Sequence, residues 1–171
     1  MEQQAVKEKS GNEFEEEIKM LLEVFSDTNI SVEDLPDLTD EVVEGIYSYA
    51  FGYYEKGWYL EAEPLFRILT ALRIRSVKYW KGLGATFQML KKYPEAIESY
   101  GWAAMNDKTM SDPYPHFHAA ECLLTHGEVT RALQALNSAK AIARKQGNYH
   151  GLLEQIDLLQ KTWRGKGKVE N

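Results

Sequence analysis

A single cysteine, Cys122, stands in the whole chain, so no intrachain disulfide can form and a reducing compartment is the expectation. No stretch approaches the ~18 consecutive apolar residues that a membrane span requires, which argues against direct membrane insertion. Positive charge is scarce: 20 Lys and Arg oppose 26 Asp and Glu, a formal net charge of -6. That balance argues against a nucleic-acid partner, which would call for a basic surface. Arg164, Lys166 and Lys168 do gather near the C-terminus, but glycines interleave them, and residues 164–171 read as a flexible, solvated tail. The opening residues contain no apolar signal core, so the expected location is the cytoplasm. Asn29-Ile30-Ser31 fits the glycosylation pattern, but without a secretory signal the match is accidental.

What remains is an ordinary globular composition, 44% hydrophobic and 27% charged, in a chain long enough for a real core. Residues 1–12 are polar and aperiodic and are expected to be disordered. Residues 13–39 form an N-terminal helix and linker. Phe14, Ile18, Leu21, Leu22 and Phe25 recur there at helical spacing, opposite a run of acids. Such a stripe has no partner within its own segment, and it is expected to support self-association into a homodimer. Residues 26–39 carry turn formers, among them Asp27, Asn29, Pro36 and Asp37.

From Asp40 onward the chain repeats itself. Tyr59-Leu60-Glu61-Ala62 returns as Tyr93-Pro94-Glu95-Ala96, 34 residues later. At that offset Ile46 pairs with Trp80, Ala50 with Gly84, Tyr53 with Phe87, and Phe66 with Tyr100. A third unit follows Ala96 at an offset of 36, with Ala119, Ala120, Leu123, Gly127, Ala132, Leu136 and Ala139 at matching positions. The two extra residues fall in the connector 107–113. Thirty-four is the tetratricopeptide period, with a large residue, a small one, then an aromatic at fixed spacing. The physical cause is a pair of closely crossing helices, which demands small residues at the crossing and bulky ones around it. The fold predicted is therefore all-α: a tetratricopeptide-repeat solenoid of three helix-hairpin repeats over residues 40–163. The array is preceded by the N-terminal helix and closed by a C-terminal capping helix carrying Tyr149, Leu152, Leu153, Ile156, Leu159 and Trp163. Lys145-Gln146-Gly147 should end the last repeat helix. Pro64 sits badly, so the helix around it should start late or bend.

No catalytic or metal constellation assembles. Gly82-Leu83-Gly84-Ala85 lacks the third glycine of a dinucleotide loop and lies inside a helix. Gly165-Lys166-Gly167-Lys168 has no strand before it and is no phosphate loop. His118 and Cys122 share a helical face, but two ligands do not make a zinc site; a packed histidine near a buried thiol is the simpler reading. Glu15, Glu16 and Glu17 form a solvated face. No enzyme, cofactor or metal is expected.

In repeats of this kind the first helix of each pair lines a concave surface. The inward positions are Tyr47, Phe51 and Tyr54 in the first repeat, and Lys81, Ala85, Gln88 and Met89 in the second. In the third they are Tyr114, Phe117, Glu121 and Leu124. Tyr47, Phe51 and Tyr54 lie on a stripe separate from the core stripe of Ile46, Tyr49, Ala50 and Tyr53. Rigid aromatics with polar tips suit an extended peptide. An adaptor gripping terminal carboxylates would instead need Lys, Arg or Asn at these positions, where Tyr47 and Phe51 stand. A general peptide-binding adaptor is the alternative to the reading that follows.

Gly45-Ile46-Tyr47-Ser48-Tyr49-Ala50-Phe51, Gly82-Leu83-Gly84-Ala85 and, most specifically, residues 115–124 (PHFHAAECLL) followed by Gly127-Glu128 are familiar in combination. Over about residues 14–160 the chain resembles the class II type III secretion chaperones, the translocator chaperones of Gram-negative bacteria. The resemblance implies a cytoplasmic chaperone for hydrophobic translocator proteins. It would hold an extended segment with a Pro-x-Leu-x-x-Pro-like pattern in the concave groove, without ATP or metal, and its N-terminal helix would contribute to a homodimer. Lys81, Pro64 and the acidic linker before Asp40 depart from the family pattern.

Overall fold

The computed structural model describes residues 38–166, together with Glu16 and Glu23. The expectations for residues 1–12, for the stripe of Phe14, Ile18, Leu21, Leu22 and Phe25, and for the linker up to residue 37 lie outside the described residues. Seven helices follow one another: α1 (Asp40–Glu55), α2 (Tyr59–Leu72), α3 (Val77–Met89), α4 (Tyr93–Asn106), α5 (Tyr114–Thr125), α6 (Val129–Gln146) and α7 (His150–Lys166). No strand occurs among the described residues. They pair as α1/α2, α3/α4 and α5/α6, three hairpins, with α7 packed on α6. The chain divides between Ile74 and Arg75 into one compact unit holding α1 and α2 and a second holding α3 to α7.

Local chemistry sets the helix boundaries. Thr39 precedes α1 and its hydroxyl accepts the Val42 N–H at 3.4 Å; Ser76 plays the same part for Tyr79 at the start of α3. The first helix of every hairpin ends in the same way. Gly57, Lys91 and Gly127 all adopt left-handed backbone, with φ of 78°, 60° and 88°. The next amide in each case reaches five residues back within the turn: Trp58 N–H to Tyr53 O (2.9 Å), Lys92 N–H to Phe87 O (2.9 Å) and Glu128 N–H to Leu123 O (2.8 Å). That bond, with its shorter companion, satisfies carbonyls that the helix end would otherwise leave unpaired. Gly147, φ 76°, stops α6 after Arg144 and Lys145, as the sequence predicts. α7 runs to Lys166, so the first residues of the segment read as a tail are helical.

Pro64 does not delay its helix. α2 starts on time at Tyr59 and Pro64 lies inside it. The carbonyl that Pro64 cannot serve belongs to Leu60, which is 70% exposed, so water can take that acceptor.

The small residues stand where helices cross. Ala50 and Ala62 are fully buried in the first hairpin, Ala96 in the second, and Ala120 and Ala132 in the third. Gly84 faces the ring of Tyr100 so closely that a Cβ would meet its Cδ1 at 2.8 Å. Ile46, Val43, Leu65, Phe66, Ile68 and Leu69 fill the first unit. Tyr49 and Tyr53, assigned to the core stripe by spacing, are only half-buried. In the second unit α5, α6 and α7 meet in one apolar cluster of Phe117, Leu123, Leu124, Leu136, Leu152 and Ile156, among others.

Candidate functional site: two helix faces

The first face belongs to α1. Tyr47 and Phe51, four residues apart, stack with centroids 5.9 Å apart and planes 20° from parallel. The edge of Tyr47 also meets Phe66 of α2 at 6.2 Å, which anchors the pair to the core. Phe51 is left 42% exposed. One turn on, Tyr54 packs edge-on against Tyr59 at 5.4 Å. Burial, with the nearby Tyr59 adding to it, pushes the Tyr54 phenol above its ordinary pKa, so it stays a neutral hydrogen-bonding group. The three stripe residues thus form a rigid, uncharged aromatic surface, and Phe51 is its open part. The spacing pointed to the stripe; it gave no sign of Phe66 and Tyr59, which hold it.

The second face lies on α3 and α5, within the second unit, and is polar. Lys81 donates to Asp112 Oδ2 in the connector before α5. Gln88 Oε1 accepts the Tyr100 hydroxyl at 2.8 Å, so its carbonyl end is already committed. Ala85 is half-buried and Met89 is 48% exposed. On α5, Tyr114 is 39% exposed and stacks on His118 at 5.7 Å with planes 18° apart. His118 also lies 5.5 Å from Tyr100, and its Nδ1 is 2.7 Å from Glu121 Oε2. Phe117 corrects the expectation: it is 5% exposed and belongs to the apolar cluster of α5, α6 and α7. Leu124, at 8%, is buried in the same cluster. The capping helix supplies this repeat with an apolar layer that spacing within α5 does not reveal. Asp112, Tyr100 and His118 are the residues that sequence reasoning left off this face.

Cys122 is 1% exposed, and burial raises its thiol to about pKa 12, which keeps it protonated and disfavours the reactive thiolate. Burial lowers the His116 pKa, with Asp107 opposing, which favours a neutral imidazole. Among the described residues no group of three or more His, Cys, Asp or Glu could hold a metal ion. No described helix is long and apolar enough to cross a membrane.

Helix pairs of this length, crossing on small residues and presenting the first helix of each pair, define a tetratricopeptide-repeat protein. The family pattern described as tetratricopeptide repeat matches residues 43–73 and 77–108. Low calcium response locus protein H of Yersinia pestis is 29% identical over 156 residues, covering 91% of this chain and 92% of that protein. The crystal structure of PcrH with the chaperone binding region of PopD is 30% identical, covers 78% of this chain and 98% of that one, and superposes with a TM-score of 0.73. The Yersinia enterocolitica type III secretion chaperone SycD, solved with a peptide of the translocator YopD, is 31% identical, covers 75% and 97%, and gives a TM-score of 0.71. The chain belongs to the type III secretion translocator chaperones.

Proposed function

We propose that this chain is a bacterial cytoplasmic chaperone that binds hydrophobic translocator proteins before their secretion and stabilises them, holding an extended segment against the two faces described above. It acts by binding alone, without chemistry on its partner. The observation that carries the reading is the α1 surface: Phe51 is open while Tyr47, stacked against it, is fixed on Phe66. A preorganised aromatic surface offers contact area at little entropic cost. The complexes of PcrH with the chaperone binding region of PopD and of SycD with a YopD peptide support a translocator segment as the ligand class. A translocator must later enter a membrane, so its apolar segments would aggregate in water; masking one lowers the concentration of the aggregating species. Residues 13–26 are proposed to carry homodimer contacts through Phe14, Ile18, Leu21, Leu22 and Phe25.

The test is a fluorescence titration with a translocator-derived peptide carrying the Pro-x-Leu-x-x-Pro pattern. Wild type should bind in the micromolar range. Phe51→Ala should weaken binding by about tenfold, the loss expected for one well-placed aromatic. The triple variant Tyr47→Ala, Phe51→Ala, Tyr54→Ala should abolish binding while circular dichroism still shows a helical fold. Binding that survives the triple variant unchanged would remove α1 from the site.

A further inference from the structure

We propose that Asp112 is a positioning residue for peptide recognition: it fixes Tyr114 on the polar face, and Lys81 of the preceding repeat holds Asp112 in place. The inference rests on the reading that this face receives cargo. Tyr114 opens α5 and is flanked by Pro113 and Pro115, both among the fully buried residues. Neither proline has an N–H, so Tyr114 carries the one amide donor of residues 113–115, and a first-turn amide has no partner inside its helix. Asp112 supplies that partner: its Oδ1 accepts the Tyr114 N–H at 2.9 Å. Its other oxygen, Oδ2, accepts from Lys81. Its own N–H donates to Asp107 Oδ2 at 2.9 Å. The carboxylate is thus tied on both oxygens, one bond to α3 and one to the first residue of α5.

The consequence reaches the exposed ring. Tyr114 is stacked on His118 one turn along and meets Tyr149 of α7 edge-on at 5.8 Å. Those contacts hold only while the first turn of α5 keeps its orientation, and Asp112 is what pins that turn from outside. Lys81 is a long, flexible cation, and its side chain is 37% exposed against 22% for Asp112. Its effect on Tyr114 passes through the carboxylate. Sequence spacing placed Lys81 and Tyr114 on the inward face without linking them; the link is a residue from the connector.

The experiment is a double-mutant cycle read by titration of the same Pro-x-Leu-x-x-Pro peptide. D112A should weaken binding by about tenfold, as expected for losing a charge-assisted bond that orders a contact residue. D112N keeps an oxygen for the Tyr114 amide and should restore affinity to within about threefold of wild type. In the Y114A background D112A should cost nothing further, because the residue it positions is gone. A merely structural role for Asp112 would leave the cost in place in both backgrounds. Should D112A fail to fold, K81M replaces it; that variant leaves the amide bond intact, and its smaller cost must also vanish with Y114A. Wild-type affinity in D112A, or a cost that persists undiminished with Y114A, overturns the inference while leaving the proposed function standing. Failure of wild type to bind the peptide overturns the proposed function itself.

Discussion

Replacing Gly84 with alanine sets two effects of known size against each other. Gly84 lies inside α3, and alanine there gains about 1 kcal/mol of helix propensity. The new Cβ, however, would sit 2.8 Å from Tyr100 Cδ1, 2.9 Å from Cε1 and 3.1 Å from Cγ. It would press on the flat of the ring rather than on a flexible tip. The ring cannot easily withdraw: Tyr100 is 2% exposed, and its hydroxyl is tied to Gln88 Oε1 at 2.8 Å. Overpacking of this kind costs about 1–3 kcal/mol, and breaking the tether to relieve it forfeits about 1 kcal/mol more. The net expectation is a loss of roughly 1–2 kcal/mol from the second unit. Urea unfolding read by tryptophan fluorescence is the assay, since Trp80 and Trp102 stack at 5.5 Å in that unit. The midpoint should fall with little change in slope. Gly101→Ala is the control: Gly101 is inside α4 with nothing within 4 Å of its would-be Cβ, so it should gain about 0.5–1 kcal/mol. A Gly84→Ala protein as stable as the Gly101→Ala protein would refute the close-approach argument.

Lys91 holds φ 60° where the other two repeats place glycine, so Lys91→Gly should stabilise by about 1 kcal/mol in the same assay; a loss would mean the side chain makes an undetected compensating contact. Asp107 accepts from the amides of Thr109, Ser111 and Asp112, and although burial pulls its pKa upward these bonds hold it below 3.8. Its contribution is therefore complete above that ordinary value and is lost as pH falls through the lower folded value. Asp107→Ala should cost about 1–2 kcal/mol at neutral pH, with the difference from wild type closing in acid; a pH-independent difference would exclude the carboxylate as the cause. Cys122, with its thiol raised to about 12 and 1% exposed, should resist a thiol-specific reagent in native protein and react fully in urea. Rapid native labelling at neutral pH would contradict its burial.

The repeat register was readable because it is written in residue size. Ala50, Gly84 and Ala120, and Ala62, Ala96 and Ala132, recur at the crossings, and a misplaced side chain there has nowhere to go. The stop at Gly147 was readable because a left-handed cap favours one residue type. Lys91 departs from that rule, and only the backbone bonds around it identify the turn as the same as at Gly57 and Gly127. The α1 stripe was visible as spacing, whereas Phe117 was misplaced for a reason spacing cannot carry. Periodicity says which residues share a helix face, not what lies over that face, and α7 contributes to the cluster that buries Phe117. The late start expected at Pro64 did not occur, since a missing donor costs little where the acceptor's residue, Leu60, is exposed. The Lys81–Asp112 pair, 31 residues apart through a connector, has no local signature at all.

The pairing of helices bears on how the protein is made. Each substantial helix contact joins elements adjacent in sequence, from α1 with α2 to α6 with α7. Loops to be closed are short, and such low contact order goes with fast folding. Within the first unit, α1 and α2 need no later helix to pair. As the chain leaves the ribosome, α1 can pack on α2 and complete its aromatic surface before the second unit has been synthesised. Synthesis and packing can thus proceed in the same direction, hairpin by hairpin.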